Sequence, residues 1–122
     1  MTYVLISLGA VLGANLRFLV GGWVADRFGA AFPYGTLVIN ITGSFLIGLV
    51  LTLAADRIVP PWVRTTVAIG FLGSYTTFST FSYETLALIQ DGAILKAVLN
   101  IGVSVAVALV GVFAGAALAR AL

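Results

Sequence analysis

The sequence predicts an all-α membrane protein: one domain over residues 1–122, built from four transmembrane helices with the third broken near its middle. Two observations carry that expectation. Hydrophobic residues make up 61% of the chain and charged ones only 8%, with a mean hydropathy of +1.19. Six Lys/Arg and four Asp/Glu are too few to coat a folded chain of this length for water, so lipid is the expected solvent. The second observation is segment length. About 20 mostly apolar residues cross a hydrocarbon core, and four such stretches nearly use up the chain.

The first stretch runs from about residue 3 to 25, with Arg17 its only charge. Asp26-Arg27-Phe28-Gly29 and Pro33 are expected to end it. The second, 34–55, has no charge, and Asp56-Arg57 with Pro60-Pro61 closes it, since a proline pair cannot continue a helix. The third, 62–90, is longer than a simple span requires, and Asp91-Gly92 ends it. The fourth covers about 94–119. Trp23, Tyr34 and Trp62 fall near the expected ends, where amphipathic aromatics favour the headgroup level. Gly9 with Gly13, and Gly111 with Gly115, form GxxxG pairs that let helices approach closely in lipid. The N-terminus does not read as a cleavable signal: it lacks a basic n-region and its apolar run is too long.

Composition also excludes functions. With no cysteine and no histidine, disulfides, thiolate metal sites and cysteine or imidazole catalysis are ruled out, and no general-base constellation suggests an enzyme. The net charge is +2 and the pI near 9.4. Yet Arg17, Arg27, Arg57, Arg64, Lys96 and Arg120 are scattered singly, which gives no nucleic-acid footprint. Their distribution is nearly even across the membrane. Arg57, Arg64 and Arg120 share one side; Arg27 and Lys96 lie opposite, joined by Arg17 if it reaches that interface. Orientation normally follows an excess of Lys/Arg on the cytoplasmic side. Two readings stand equally: insertion machinery settles a weak signal, or the chain inserts both ways and pairs antiparallel with a copy of itself. The two halves show no internal repeat, so a symmetric pathway of the kind transporters build from repeats would need such a copy.

The chemistry concentrates in the third stretch. Ser74 to Ser82 holds six Ser/Thr in nine residues, too many for a simple kink whose hydroxyls bond back to the preceding turn. Gly73 and Ser74, followed by Thr76 and Thr77, weaken a regular helix there. A break at membrane depth is tolerated only where the freed backbone is buried in protein or lines a cavity. Phe78 and Phe81 share a helix face, flanked by Thr77 and Thr80. Such rings normally pack or face lipid, but their positive edges can also rest against an anion. Asn40 and Ser44, and again Asn100 and Ser104, lie four apart. Singly each pair reads as interhelical glue; together with the hydroxyls they suggest a polar track of donors suited to an anion. No basic residue stands at mid-depth in the central stretches, which suits passage rather than capture. Arg17 either draws anions to a vestibule or snorkels to the interface. Glu84, the only acid within a span, is a functional candidate, or an interfacial residue near a helix end.

Three motifs in order resemble the Fluc/CrcB fluoride channels across nearly the whole chain. Gly73-Ser74-Tyr75-Thr76-Thr77-Phe78-Ser79-Thr80-Phe81-Ser82-Tyr83-Glu84 resembles that family's GGxTTFSTFSxE signature, and residues 35–45 are similar to its GTLxVNxxGSF pattern. Gly13-Ala14-Asn15-Leu16-Arg17-Phe18 is similar to its GAxxR motif. The resemblance implies a fluoride-selective channel for passive efflux across a bacterial or archaeal inner membrane, assembled as an antiparallel, dual-topology homodimer. By it, Asn40, Phe78, Phe81, Thr77, Thr80 and Ser104 line the pore, with Arg17, Glu84 and Asn100 as further pore or vestibule residues. It also implies a structural sodium ion at the dimer interface, held by the backbone carbonyls of Gly73 and Thr76. Ser74 replaces the signature's second glycine, Asn100 stands where several members have tyrosine, and Ala108 lacks a hydroxyl. The alternative is a small multidrug-resistance-type, proton-coupled exporter, which needs a deep acid in the first helix; that helix has Arg17 instead.

Overall fold

Helices form because nearly every residue between the polar connections is apolar, and in lipid each backbone N–H and C=O must be satisfied within its own segment. The computed structural model describes residues Met1–Leu122 and is entirely helical apart from short connections. Helix α1 spans Thr2–Phe28, α2 Tyr34–Ala55 and α6 Ile94–Ala121. Their 27, 22 and 28 residues reach roughly 40, 33 and 42 Å at 1.5 Å per residue. Each exceeds the ~30 Å of a hydrocarbon core, and these three are long and apolar enough to cross a membrane.

Between α2 and α6 the path is irregular. It comprises α3 (Pro61–Val63), a π-helical segment (Arg64–Leu72), α4 (Gly73–Tyr75) and α5 (Phe78–Gln90). Thr76 and Thr77 between α4 and α5 are extended, with φ/ψ of −78°/157° and −151°/117°. Of the four residues expected to weaken the helix, Gly73 and Ser74 stay helical and the chain opens at Thr76 and Thr77.

Several ends differ from the sequence expectation. α1 continues three residues past Ala25, because Asp26 and Arg27 are tolerated at a polar end. Arg27 lies over the Trp23 ring at 5.5 Å from its centroid, a cation–π contact. What stops α1 is Gly29, whose φ of 83° suits glycine. At the other terminus α6 runs two residues beyond Ala119 to Ala121.

Helix pairs meet where side chains are missing. α1 packs on the π-helical segment, and α2 packs most extensively on α6. A Cβ on Gly9 would strike the Thr66 carbonyl, and one on Gly13 the Ser74 hydroxyl; a Cβ on Gly115 would strike the Phe45 carbonyl. Gly48, outside the two sequence motifs, abuts the Val112 carbonyl. Ser74 Oγ lies 3.0 Å from the Ala10 carbonyl and 2.8 Å from that of Gly70, so it ties α4 to α1. Ile39, Leu72 and Tyr75 form the buried core, with Tyr75 Oη 3.0 Å from Thr42 Oγ1. Leu8, Leu12, Phe18, Leu95, Val110 and Phe113 are exposed, as expected for helices with an apolar outer surface in lipid.

Candidate functional site

The site grows from the opening at Thr76-Thr77. An extended residue in a helical bundle presents N–H and C=O sideways, as a strand does, and both need partners. Asn40 on α2 supplies them. Its Nδ2 donates to the Thr77 carbonyl at 3.0 Å, and its Oδ1 accepts from Thr77 N–H at 2.9 Å. A primary amide is the one uncharged side-chain group with donor and acceptor side by side, so it closes the break as a neighbouring strand would. Thr77 also caps α5: its Oγ1 accepts from Thr80 N–H at 3.2 Å and donates to Thr80 Oγ1 at 3.0 Å. Such N-caps stabilise helices by about 1 kcal/mol.

These side-chain bonds have a consequence for two carbonyls. In a continuous helix Gly73 C=O would accept from Thr77 N–H, and Thr76 C=O from Thr80 N–H. Both donors are diverted, one to Asn40 Oδ1 and the other to Thr77 Oγ1. The oxygens of Gly73 and Thr76 thereby lose their helical partners.

Two cavities flank the opening. The smaller, about 280 Å³, is lined by Asn40, Ser44, Thr76, Thr77, Phe78, Phe81, Ser104 and Ala108, among others, none of them charged. Phe78 and Phe81 form a tilted pair with centroids 5.6 Å apart. Phe78 is 79% exposed on the isolated chain and Phe81 is half-buried. The N-terminus of α5 also borders this cavity, where the helix dipole favours negative charge.

The larger cavity, about 810 Å³ and open, is lined by Arg17, Thr36, Thr77, Thr80, Glu84, Asp91 and Lys96, among others. Thr77 thus lies on the wall of both. Arg17 is half-buried there. Glu84 Oε1 accepts from Thr36 Oγ1 at 2.7 Å, while its Oε2 is buried without a partner.

The fold brings together Asn40, Thr77, Phe78, Phe81 and Ser104 around one cavity, and Arg17, Thr80 and Glu84 around the other. Asn100 lines neither. It is buried behind Ser104, bonded to Thr85 and Ser104. Sequence reasoning missed Thr36 and Thr85. Thr85 was readable as the residue four after Phe81, whose carbonyl it bonds at 2.8 Å. Thr36 stood in the second motif with no role of its own, because its partner Glu84 is 48 positions away.

This arrangement can be set beside known proteins. A family model described as CrcB-like protein, Camphor Resistance (CrcB), matches residues 4–116. The chain is 47% identical over 120 residues to a "Fluoride-specific ion channel FluC" of Citrifermentans bemidjiense, covering 98% of this chain and 97% of that one. It is 45% identical over 123 residues to the protein of that name from Roseiflexus sp., covering 100% and 99%. With the one from Acidobacterium capsulatum it shares 49% over 117 residues, covering 94% and 93%. Since the match runs through α1, the opening at Thr76-Thr77 and α6 alike, the chain belongs to the CrcB family of membrane proteins.

Proposed function

We propose that this protein is a fluoride-selective channel that lets fluoride leave the cell passively, down its electrochemical gradient. The observation that carries the reading is an uncharged cavity rimmed by phenylalanines, an amide and hydroxyls, in a chain matched end to end by relatives named as fluoride-specific channels. A small anion leaving water needs its hydration replaced. Ser44 offers a hydroxyl, Asn40 the amide hydrogen it does not give to Thr77, and Phe78 and Phe81 positive ring edges. The hydroxyls of Thr76, Thr77 and Ser104 donate to protein partners on the isolated chain and would have to turn toward the ion. The absence of a fixed cation in that cavity keeps binding weak enough for the ion to leave. In the larger cavity Arg17 and Lys96 offset Glu84 and Asp91, so it presents no net negative charge to repel an arriving anion. The protein acts as a channel, not as an enzyme.

In this reading residues 61–90 form a fourth, broken span. The 13 residues of α5 reach only about 20 Å, so crossing requires the irregular segment before it. Phe78, 79% exposed on one chain, is then covered by a second copy, and the pore is completed in an antiparallel homodimer. The nearly even Lys/Arg distribution supports that pairing. The Gly73 and Thr76 carbonyls, with their helical donors diverted, fit a structural sodium ion near the two-fold axis, as unwound carbonyls hold sodium elsewhere. The ion would neutralise carbonyl dipoles and fix the two openings against each other.

Efflux from liposomes holding the purified protein tests the function. Fluoride should leave quickly, chloride hardly at all, and neither should require a proton gradient. Equal leakage of both anions would overturn the reading.

A further inference from the structure

Asn100 is only 2% exposed and lines neither cavity. Burying an amide is costly unless its donors and acceptor are used. Here its Nδ2 donates to Thr85 Oγ1 at 3.0 Å and its Oδ1 accepts from Ser104 Oγ at 3.3 Å. Thr85 Oγ1 in turn donates to the Phe81 carbonyl at 2.8 Å. These groups form one hydrogen-bond chain, from a backbone carbonyl inside α5 to the wall of the smaller cavity, where Ser104 stands. Its direction matters. Thr85 spends its hydrogen on Phe81, so Asn100 must show Thr85 its NH₂ and Ser104 its oxygen. Ser104 therefore points its one hydrogen away from the cavity and offers only lone pairs to it, which repel an anion.

Both bonds of the Asn100 amide can reverse once Thr85 Oγ1 releases the Phe81 carbonyl. If the amide turns over, Thr85 donates to Asn100 Oδ1 and Asn100 Nδ2 donates to Ser104 Oγ. The Ser104 hydrogen is then free for the cavity. No proton leaves its oxygen or nitrogen, and no buried side-chain group loses its partner. The Phe81 carbonyl, within α5, keeps its backbone donor. The bond between Ser104 and Asn100, at 3.3 Å, is the longest in the chain and lies beyond the usual range.

We propose that Asn100 is a positioning residue for Ser104: its amide holds the serine hydrogen while the cavity lacks an anion and, by turning over, directs that hydrogen to fluoride. This rests on the proposed fluoride pathway through the cavity that Ser104 lines.

The test is a double-mutant cycle read by fluoride efflux from liposomes. Ser104→Ala should slow efflux about tenfold, the effect of one unmade hydrogen bond. Asn100→Leu should do the same, because with no turned amide donating to Ser104 Oγ the serine hydrogen bonds back to the residue 100 carbonyl one turn earlier in its own helix. The double variant should be no slower than Ser104→Ala alone. Additive losses, or undiminished efflux in Asn100→Leu, would overturn the proposal. Because Asn100→Leu can fail to fold, a second measurement uses the unmutated chain. The side-chain amide resonance of Asn100 should move when fluoride is added, and Ser104→Ala should abolish that movement; no movement in the unmutated protein would also overturn it. If the unmutated protein passes fluoride but the cycle is additive, only the role of Asn100 falls. If it passes none, the proposed function falls, and this inference with it.

Discussion

Asn40 shows how much one side chain decides. Its amide satisfies both backbone groups of Thr77, and without it an extended residue would sit in the bundle with unpaired N–H and C=O. Asn40→Asp keeps the acceptor for Thr77 N–H but sets a carboxylate oxygen against the Thr77 carbonyl. We expect a loss of about 1–3 kcal/mol in stability, the cost of an unmade buried bond, measured by thermal unfolding in detergent. Fluoride efflux should fall at least about tenfold, since a negative group replaces an amide donor beside the anion's path. Undiminished efflux would remove Asn40 from the pathway. The helix cap is a separate matter. Thr77→Val removes the oxygen that accepts from Thr80 N–H, and should destabilise by about 1 kcal/mol, read by the same unfolding measurement.

At the level of helices, the small residues determine how closely elements meet, and not all glycines do this. Gly48 abuts the Val112 carbonyl, whereas Gly102 has nothing within 4 Å. Gly48→Ala should therefore force α2 and α6 apart and cost about 1–3 kcal/mol, as overpacking does. Gly102→Ala should be neutral or stabilise by up to about 1 kcal/mol through helix propensity. Thermal unfolding of the two variants side by side checks the contrast; equal effects would contradict the packing of α2 on α6. The GxxxG spacing made Gly9, Gly13 and Gly115 legible in the sequence as packing residues. Gly48 was not, because its partner carbonyl at Val112 is 64 residues away in the chain and no local pattern marks it.

For the molecule as a whole, the absence of cysteine makes orientation and assembly easy to probe. Asp26→Cys and Asp56→Cys lie at opposite ends of the helices and are exposed. A dual-topology protein should let a membrane-impermeant thiol reagent label about half of each in intact cells, whereas a strong Lys/Arg bias would give one orientation. Complete labelling of one and none of the other would exclude the antiparallel dimer. Sodium makes a further prediction. If it binds only the folded assembly through the Gly73 and Thr76 carbonyls, the unfolding temperature should rise with sodium and not with a bulky organic cation.

By itself the sequence determined the solvent, the class and most of the elements. Too few charges, stretches of about 20 apolar residues and glycine spacing are local properties, and in lipid a helix needs nothing from its neighbours to satisfy its backbone. It also marked the hydroxyl-rich stretch as the place where regularity gives way. Tertiary structure alone decided that the chain opens not at Gly73-Ser74 but at Thr76-Thr77, where Asn40, 37 residues earlier, takes over the Thr77 backbone bonds. The same holds for the π-helical turns of residues 64–72, which no residue pattern announces. It holds too for Asn100, which the four-residue spacing grouped with Ser104 but packing placed behind the cavity wall. Hydrogen-bond partners far apart in the chain are chosen by how helices pack, and periodicity within one helix carries no record of that choice.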